Sequence, residues 1–98
     1  MRPDCIDDET LDTLARYGVT AVELGAQSMD DTVLSKNGRG HTAADTNRAS
    51  ALVRAHGLEL GLQMMTGLYG ANGASDLMSA RLIAALMPAT VRVYPTLV

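Results

Sequence analysis

The sequence predicts an α/β protein: a parallel sheet of about three strands with helices on its outer face, cut from a larger barrel domain. Three observations carry this. β-branched and apolar runs alternate with segments of helical periodicity, the signature of βαβ units. The runs around residues 19–24 and 58–65 are apolar on one side and polar or glycine on the other. Glu23-Leu24-Gly25-Ala26-Gln27 returns as Glu59-Leu60-Gly61-Leu62-Gln63, about one βα unit later.

Each element follows from local chemistry. Arg2-Pro3-Asp4 reads as the tail of a preceding strand. Asp7, Asp8 and Glu9 place carboxylates at a helix start, where they favour the macrodipole. Leu11, Leu14 and Ala15 recur at helical spacing, and Gly18 stops that helix. Val19 to Leu24 is a strand. Ser28 with Asp31 has capping-box spacing and opens a short helix over Thr32–Lys36. Asn37-Gly38-Arg39-Gly40-His41 is a loop. Thr42 with Asp45 repeats the capping pattern, and the next helix runs to about His56, with Gly57 ending it. Leu58 to Met65 is the second strand. After a glycine-rich loop, Thr66 to Gly73, Ser75 caps a helix through Met87, with Leu77, Ala80, Ile83, Ala84 and Met87 available for burial. Pro88 cannot continue it. Val91–Tyr94 is the third strand, and Thr96-Leu97-Val98 a strand end.

The strand faces indicate the architecture. Glu23, Gly25 and Gln27 share one side, as do Glu59, Gly61 and Gln63, provided the strands stay extended. Val22 and Leu24, then Leu58, Leu60, Leu62 and Met64, occupy the other. An open doubly wound sheet would be apolar on both faces. One polar face suits a barrel whose inside holds a ligand. Five-residue echoes also arise by chance, but the face pattern does not depend on the echo. A complete barrel of this type needs about 250 residues, so this chain of 98 is expected to be incomplete at both ends. Its exposed sheet edges then predict self-association, or pairing with a missing barrel segment.

Composition narrows the function classes. The net charge is −3 and there is no basic run, which argues against a nucleic-acid surface on this segment. No apolar stretch approaches the ~20 residues of a membrane span, and the N-terminus lacks a signal peptide's apolar core. These features and the single cysteine, Cys5, point to a cytoplasmic protein. One cysteine cannot build a metal or iron–sulfur site without partners from elsewhere.

In parallel sheets, ligands sit at the carboxyl ends of the strands. Gln27, the loop holding Arg39 and His41, and Gln63 onward to Gly70 all lie there, as do Tyr94 and Thr96. Arg39, between two glycines, suits a carboxylate or phosphate; alternatively it is a solvated arginine pairing with Asp30 or Asp31. His41 reads as structural rather than as an acid, base or ligand. Glu23 and Glu59 are either catalytic bases or, as preferred, partners of arginines on missing strands. The loop at 67–73 is no Walker motif, because no Gly-Lys-Ser/Thr follows. Met64 and Met65 read as core filling, and Cys5 as an ordinary residue.

Arg2-Pro3-Asp4, the run Val22 to Asp31, Gly38-Arg39-Gly40-His41-Thr42 and the run Gly61 to Leu68 fall in an order and spacing that resembles the central part of radical S-adenosylmethionine (SAM) enzymes. The branch they resemble contains the Elongator catalytic subunit-like proteins and the oxygen-independent coproporphyrinogen III oxidases. The resemblance covers essentially the whole chain and implies a partial (βα)₆ barrel, with residues 1–98 supplying about the fourth to sixth strand units. It implies SAM and a 4Fe–4S cluster as cofactors of the parent enzyme. The cluster is held by a Cys-x₃-Cys-x₂-Cys loop, and SAM cleavage yields a 5′-deoxyadenosyl radical. No such triad exists here, so this chain alone cannot ligate the cluster.

Residue by residue, the resemblance implies that Gln27 helps form the SAM pocket and Arg39 contacts the SAM carboxylate. Gln63, where some relatives carry Asp, sits near the ribose. Gly67, the fourth residue expected to bind the cofactor, opens with Leu68 a loop that relatives continue with Pro-Gly but that here reads Tyr69-Gly70. Arg92 and Tyr94 belong to the sixth strand, near adenine or substrate. Substrates of such parents range from haem precursors to tRNA bases. Two other readings remain: a non-catalytic remnant or partner-completed α/β module, and a fragment of an unrelated phosphate-binding barrel enzyme.

Overall fold

The computed structural model describes residues 1–96. After a 3₁₀ turn at Pro3–Cys5 come α1 (Asp8–Arg16), β1 (Ala21–Gln27), α2 (Asp31–Lys36), α3 (Ala43–Ala55), β2 (Glu59–Thr66), α4 (Gly73–Ala85) and β3 (Thr90–Pro95). The strands form one parallel sheet in the order β1-β2-β3, with Glu23 beside Gly61 and Gly61 beside Thr90.

Side-chain caps fix the helix starts. The Asp7 carboxylate accepts the Thr10 amide at 2.7 Å, and this bond holds its pKa below the usual carboxylate value. Thr42 and Asp45 form the expected reciprocal box at α3. Two expected caps are displaced. Asp30, not Ser28, caps α2, accepting Thr32 and Val33 amides. Asn72, not Ser75, caps α4, with Ser75 as its reciprocal partner three residues on. In both segments two capping-competent residues lie within a few positions, and propensity alone does not rank them.

The helices cover the apolar face of the sheet. Leu11 of α1, Ala49 and Val53 of α3 and Ile83 of α4 pack with Leu24, Leu62 and their strand neighbours in one core. Of the residues expected to bury from α4, Ile83 does so and Ala80 partly, while Leu77 and Met87 are 53% and 80% exposed. The helix seats a narrow stripe, because the buried Ser79, one turn before Ile83, turns its hydroxyl to the backbone after β1. β3 is exposed along its length.

At the outer edge of β1, the Met1 amino group donates to Glu23 O and Gly25 N–H donates to Met1 O, both at 2.8 Å. These are the two bonds of a parallel bridge on Leu24. The strand tail expected at Arg2-Pro3-Asp4 is thus confined to Met1, because Pro3 starts the 3₁₀ turn. Thr96 lies just past β3, still bonded to Thr66 O. Leu97 and Val98 lie outside the described residues.

Candidate functional site

A cleft of about 440 Å³ opens at the carboxyl ends of β1 and β2, lined by Met1, Arg2, Gly25, Gln27, residues 38–41 and Gln63. Three of the four residues singled out from sequence, Gln27, Arg39 and Gln63, therefore meet there. Gly67 does not line it; its amide donates to the Asp76 carboxylate at the start of α4.

Gln27 reaches the cleft by an irregular route. The β1 register slips between Gly25 and Gln27, and Gln27 takes φ +65°. Ser28 N–H closes a three-residue turn onto Ala26 O at 2.7 Å. A non-glycine residue in this region costs about 1–3 kcal/mol and persists where neighbours over-determine it. Those neighbours are visible. His41 Nε2, the donor to a carbonyl, bonds Ala26 O at 2.9 Å, and the Ser79 hydroxyl accepts Met29 N–H and meets Ser28 Oγ. His41 is buried and structural, as its sequence context suggested. The bulge leaves Ala26 in the core and turns Gln27 toward the cleft, where its Oε1 is buried and without a hydrogen-bond partner among the described residues.

Arg39 follows Gly38, which needs φ +65°, and its own amide is tied to Leu34 O. Its side chain is exposed, and its guanidinium lies 4.0 Å from Met65 Sδ. Among the described residues no carboxylate lies within ion-pair distance of it. The pairing with Asp30 or Asp31 considered from sequence is not formed, because both carboxylates are engaged. Asp30 caps α2 and Asp31 accepts the Ala43 amide. Met65, expected in the core, instead sits half-buried beside Arg39, while Met64 is buried.

Glycines let the walls close on this space. A Cβ on Gly40 would run into the Arg2 guanidinium, which Asp4 grips through two hydrogen bonds. A Cβ on Gly25 would stand 3.8 Å from Gln27 Nε2 and 4.0 Å from Gln63 Oε1. A guanidinium with no carboxylate and an amide oxygen with no hydrogen-bond partner among the described residues, beside open backbone, suit an anionic group carried on a polar organic ligand.

A second cleft of about 220 Å³ lies toward the amino ends of the strands, with Glu23, Glu59, Thr90 and Arg92. Glu23 does pair with an arginine, but with this chain's own Arg92, at 3.3 Å across Gly61. Arg92 therefore lines this second cleft. The Tyr94 hydroxyl, then the Glu23 carboxylate, raise the Arg92 pKa. Glu59 is exposed and has no ion pair among the described residues. Cys5 is exposed, and among the described residues no cluster of His, Cys, Asp and Glu could hold a metal. No helix there is long and apolar enough to cross a membrane.

The roles of Arg2, Asn37 and Ser79 were not apparent from sequence. Ser79 and Asn37 act through bonds to segments far away in the chain, Ser79 to Ser28 and Met29 and Asn37 to Tyr69, while Arg2, bonded to Asp4 two residues on, lies against Gly40.

A profile of the radical SAM superfamily matches residues 1–83. The tRNA uridine(34) acetyltransferase of Dehalococcoides mccartyi (strain CBDB1) is 33% identical over 100 residues, covering 99% of this chain and 22% of that protein. The structure of archaeal Methanocaldococcus infernus Elp3 with an N-terminal deletion superposes with TM-score 0.94 at 33% identity, covering 100% of this chain and 24% of that one. Coproporphyrinogen III oxidase (HemN) from Escherichia coli, described as a radical SAM enzyme, shares the fold with TM-score 0.86 at 20% identity, over 97% of this chain and 22% of that one. The chain thus spans about a fifth of the length of the relatives it matches.

Proposed function

The chain belongs to the radical SAM superfamily, and from that premise we propose that its larger cleft forms part of a SAM pocket. The observation that carries this is the Arg39 guanidinium, without a carboxylate partner among the described residues, in the cleft that Gln27 and Gln63 also line. Arg39 would hold the SAM carboxylate, Gln27 would meet a donor on the ligand, and Gln63 would contact the ribose. Gly67, at φ +73°, would shape the loop after β2 beside this pocket. When bound beside a reduced cluster, SAM supplies radical chemistry.

The cluster itself does not fit this chain, because a single cysteine supplies no triad. This chain alone is therefore a pocket element and not a complete catalyst, and residues 1–98 correspond to about the fourth to sixth strand units of the barrel. The tRNA-directed name of the first relative supports a tRNA-modifying parent, with RNA contacts lying outside this acidic segment. A cytoplasmic location fits the single cysteine. The exposed β3 supports pairing with a further barrel segment or with a second copy.

Arg39→Ala tests the reading. Removing a charge-assisted bond of this kind is expected to weaken SAM binding by about 1.5–3 kcal/mol in calorimetry. Unchanged affinity would remove Arg39, and with it the pocket assignment.

A further inference from the structure

The loop after β2 is fastened to the Arg39 loop by one side chain. Asn37 Nδ2 donates to Val33 O at 2.7 Å and to Tyr69 O at 2.9 Å, and its Oδ1 accepts Tyr69 N–H at 3.2 Å. Both backbone groups of Tyr69 are thus held by a residue thirty-two positions away, two before Arg39. The contact continues on either side. The Lys36 stem lies against Gly70, where a Cβ would stand 2.7 Å from Lys36 Cδ, and Leu68 is buried beneath. Gly67 and Gly70, at φ +73° and +83°, allow the chain to bend around this point. Tyr69 as a whole residue is 75% exposed. Its backbone is fixed while the residue stays open to solvent.

We infer that Asn37 is a positioning residue that couples the Arg39 side of the cleft to the loop presenting Tyr69. This rests on the SAM-pocket reading and adds a partner for it. Asn37 sits in the turn that leads into Arg39, between α2 and Gly38. A ligand that draws the Arg39 guanidinium inward acts on this turn. The same turn carries the amide that grips Tyr69, so the two loops share one set of hydrogen bonds. By linkage, whatever ligand occupancy does to Tyr69, fixing Tyr69 does to the ligand. A loop so held responds to an occupied pocket, which suits a rim that meets the second substrate only after SAM has bound.

The test is an amide NMR titration of the full 98-residue chain with SAM. The Tyr69 and Gly70 amides are expected to move with those of Gly38 and Gly40 and to saturate at one shared midpoint. In Asn37→Ala, the Gly40 midpoint rises about tenfold, within the usual range of coupling factors, and the Tyr69 response disappears. Asn37→Asp keeps the acceptor for Tyr69 N–H but loses the donors, and falls between. In an Arg39→Ala background, Asn37→Ala is expected to change SAM affinity no further, which general loosening of the fold would not reproduce. Tyr69 amides that stay silent in the wild type while Gly40 responds overturn the coupling, as do Tyr69 amides that respond unchanged in Asn37→Ala. Silence at Gln27, Gly40 and Gln63 together instead overturns the pocket reading itself, and the coupling with it.

Discussion

The two ends of the sheet carry similar residues on the same polar face but treat them differently. Toward the amino ends, Glu23 and Arg92 neutralise each other across Gly61, and the space between is small. At the carboxyl ends, Arg39 has no carboxylate partner and Gln27 Oε1 has no donor among the described residues. Buried or semi-enclosed polar groups are ordinarily satisfied within the fold. Gln27 Oε1, buried and open, marks the carboxyl end as the one we propose for a ligand, and the Glu23–Arg92 pair marks the other as scaffold.

That contrast can be broken from either side. The largest effect is expected from Gly61→Val, which drives a branched side chain into Thr90 Oγ1 and Glu23. Overpacking of this kind costs about 1–3 kcal/mol, readable in urea unfolding, while SAM affinity of the folded fraction stays unchanged. Gln27→Ala acts at the other end. It removes the proposed ligand contact, and SAM binding is expected to weaken by about 1 kcal/mol in calorimetry. It also leaves an unfavourable φ at position 27, so stability does not rise. Glu23→Gln is smaller again. The pair is 63% and 35% exposed on its two sides, so solvent screens it, and its loss is expected to shift the urea midpoint only slightly and SAM affinity not at all. A ligand effect equal to that of Gln27→Ala would erase the distinction between the ends.

The last prediction lies outside both clefts. The His56 ring, at the end of α3, bonds Asp8 at 2.8 Å and Asp12 at 3.1 Å, joining α1 to α3. The Asp8 hydrogen bond, followed by the charges of Asp12 and Asp8, raises the His56 pKa above 6.5. A raised folded-state pKa means the stabilisation is full below pH ~6.5 and is lost as pH rises through the higher folded value. The thermal midpoint of the wild type is therefore expected to fall slightly over that window, and that of His56→Gln is not.

Much of this was readable before any coordinates. Strand parity placed Leu24 and Leu62 in the core and Gly25 and Gln63 on the polar face, because alternation is enforced by the backbone itself. The box at Thr42 and Asp45 was legible for the same reason: its partners are three residues apart. The slip at Gln27 was not, since it depends on His41 and Ser79 arriving from distant segments to stabilise an unfavourable turn. Ser28 looked like a cap but is committed to that turn. Asn37 looked like a loop residue, and only the fold brings Tyr69 to it. The resemblance supplied roles for Gln27 and Arg39; the structure adds that, among the described residues, Arg39 has no carboxylate partner and Gln27 Oε1 no hydrogen-bond partner.

The central claim is that Arg39 is left unpaired in order to meet a carboxylate. The most direct measurement compares binding of SAM and of its decarboxylated analogue to the wild type and to Arg39→Ala by calorimetry. The wild type is expected to favour SAM by at least about tenfold, the scale of a charge-assisted bond, and Arg39→Ala to bind both alike. Equal affinity of the wild type for the two ligands, or a preference for SAM that survives in Arg39→Ala, would contradict it.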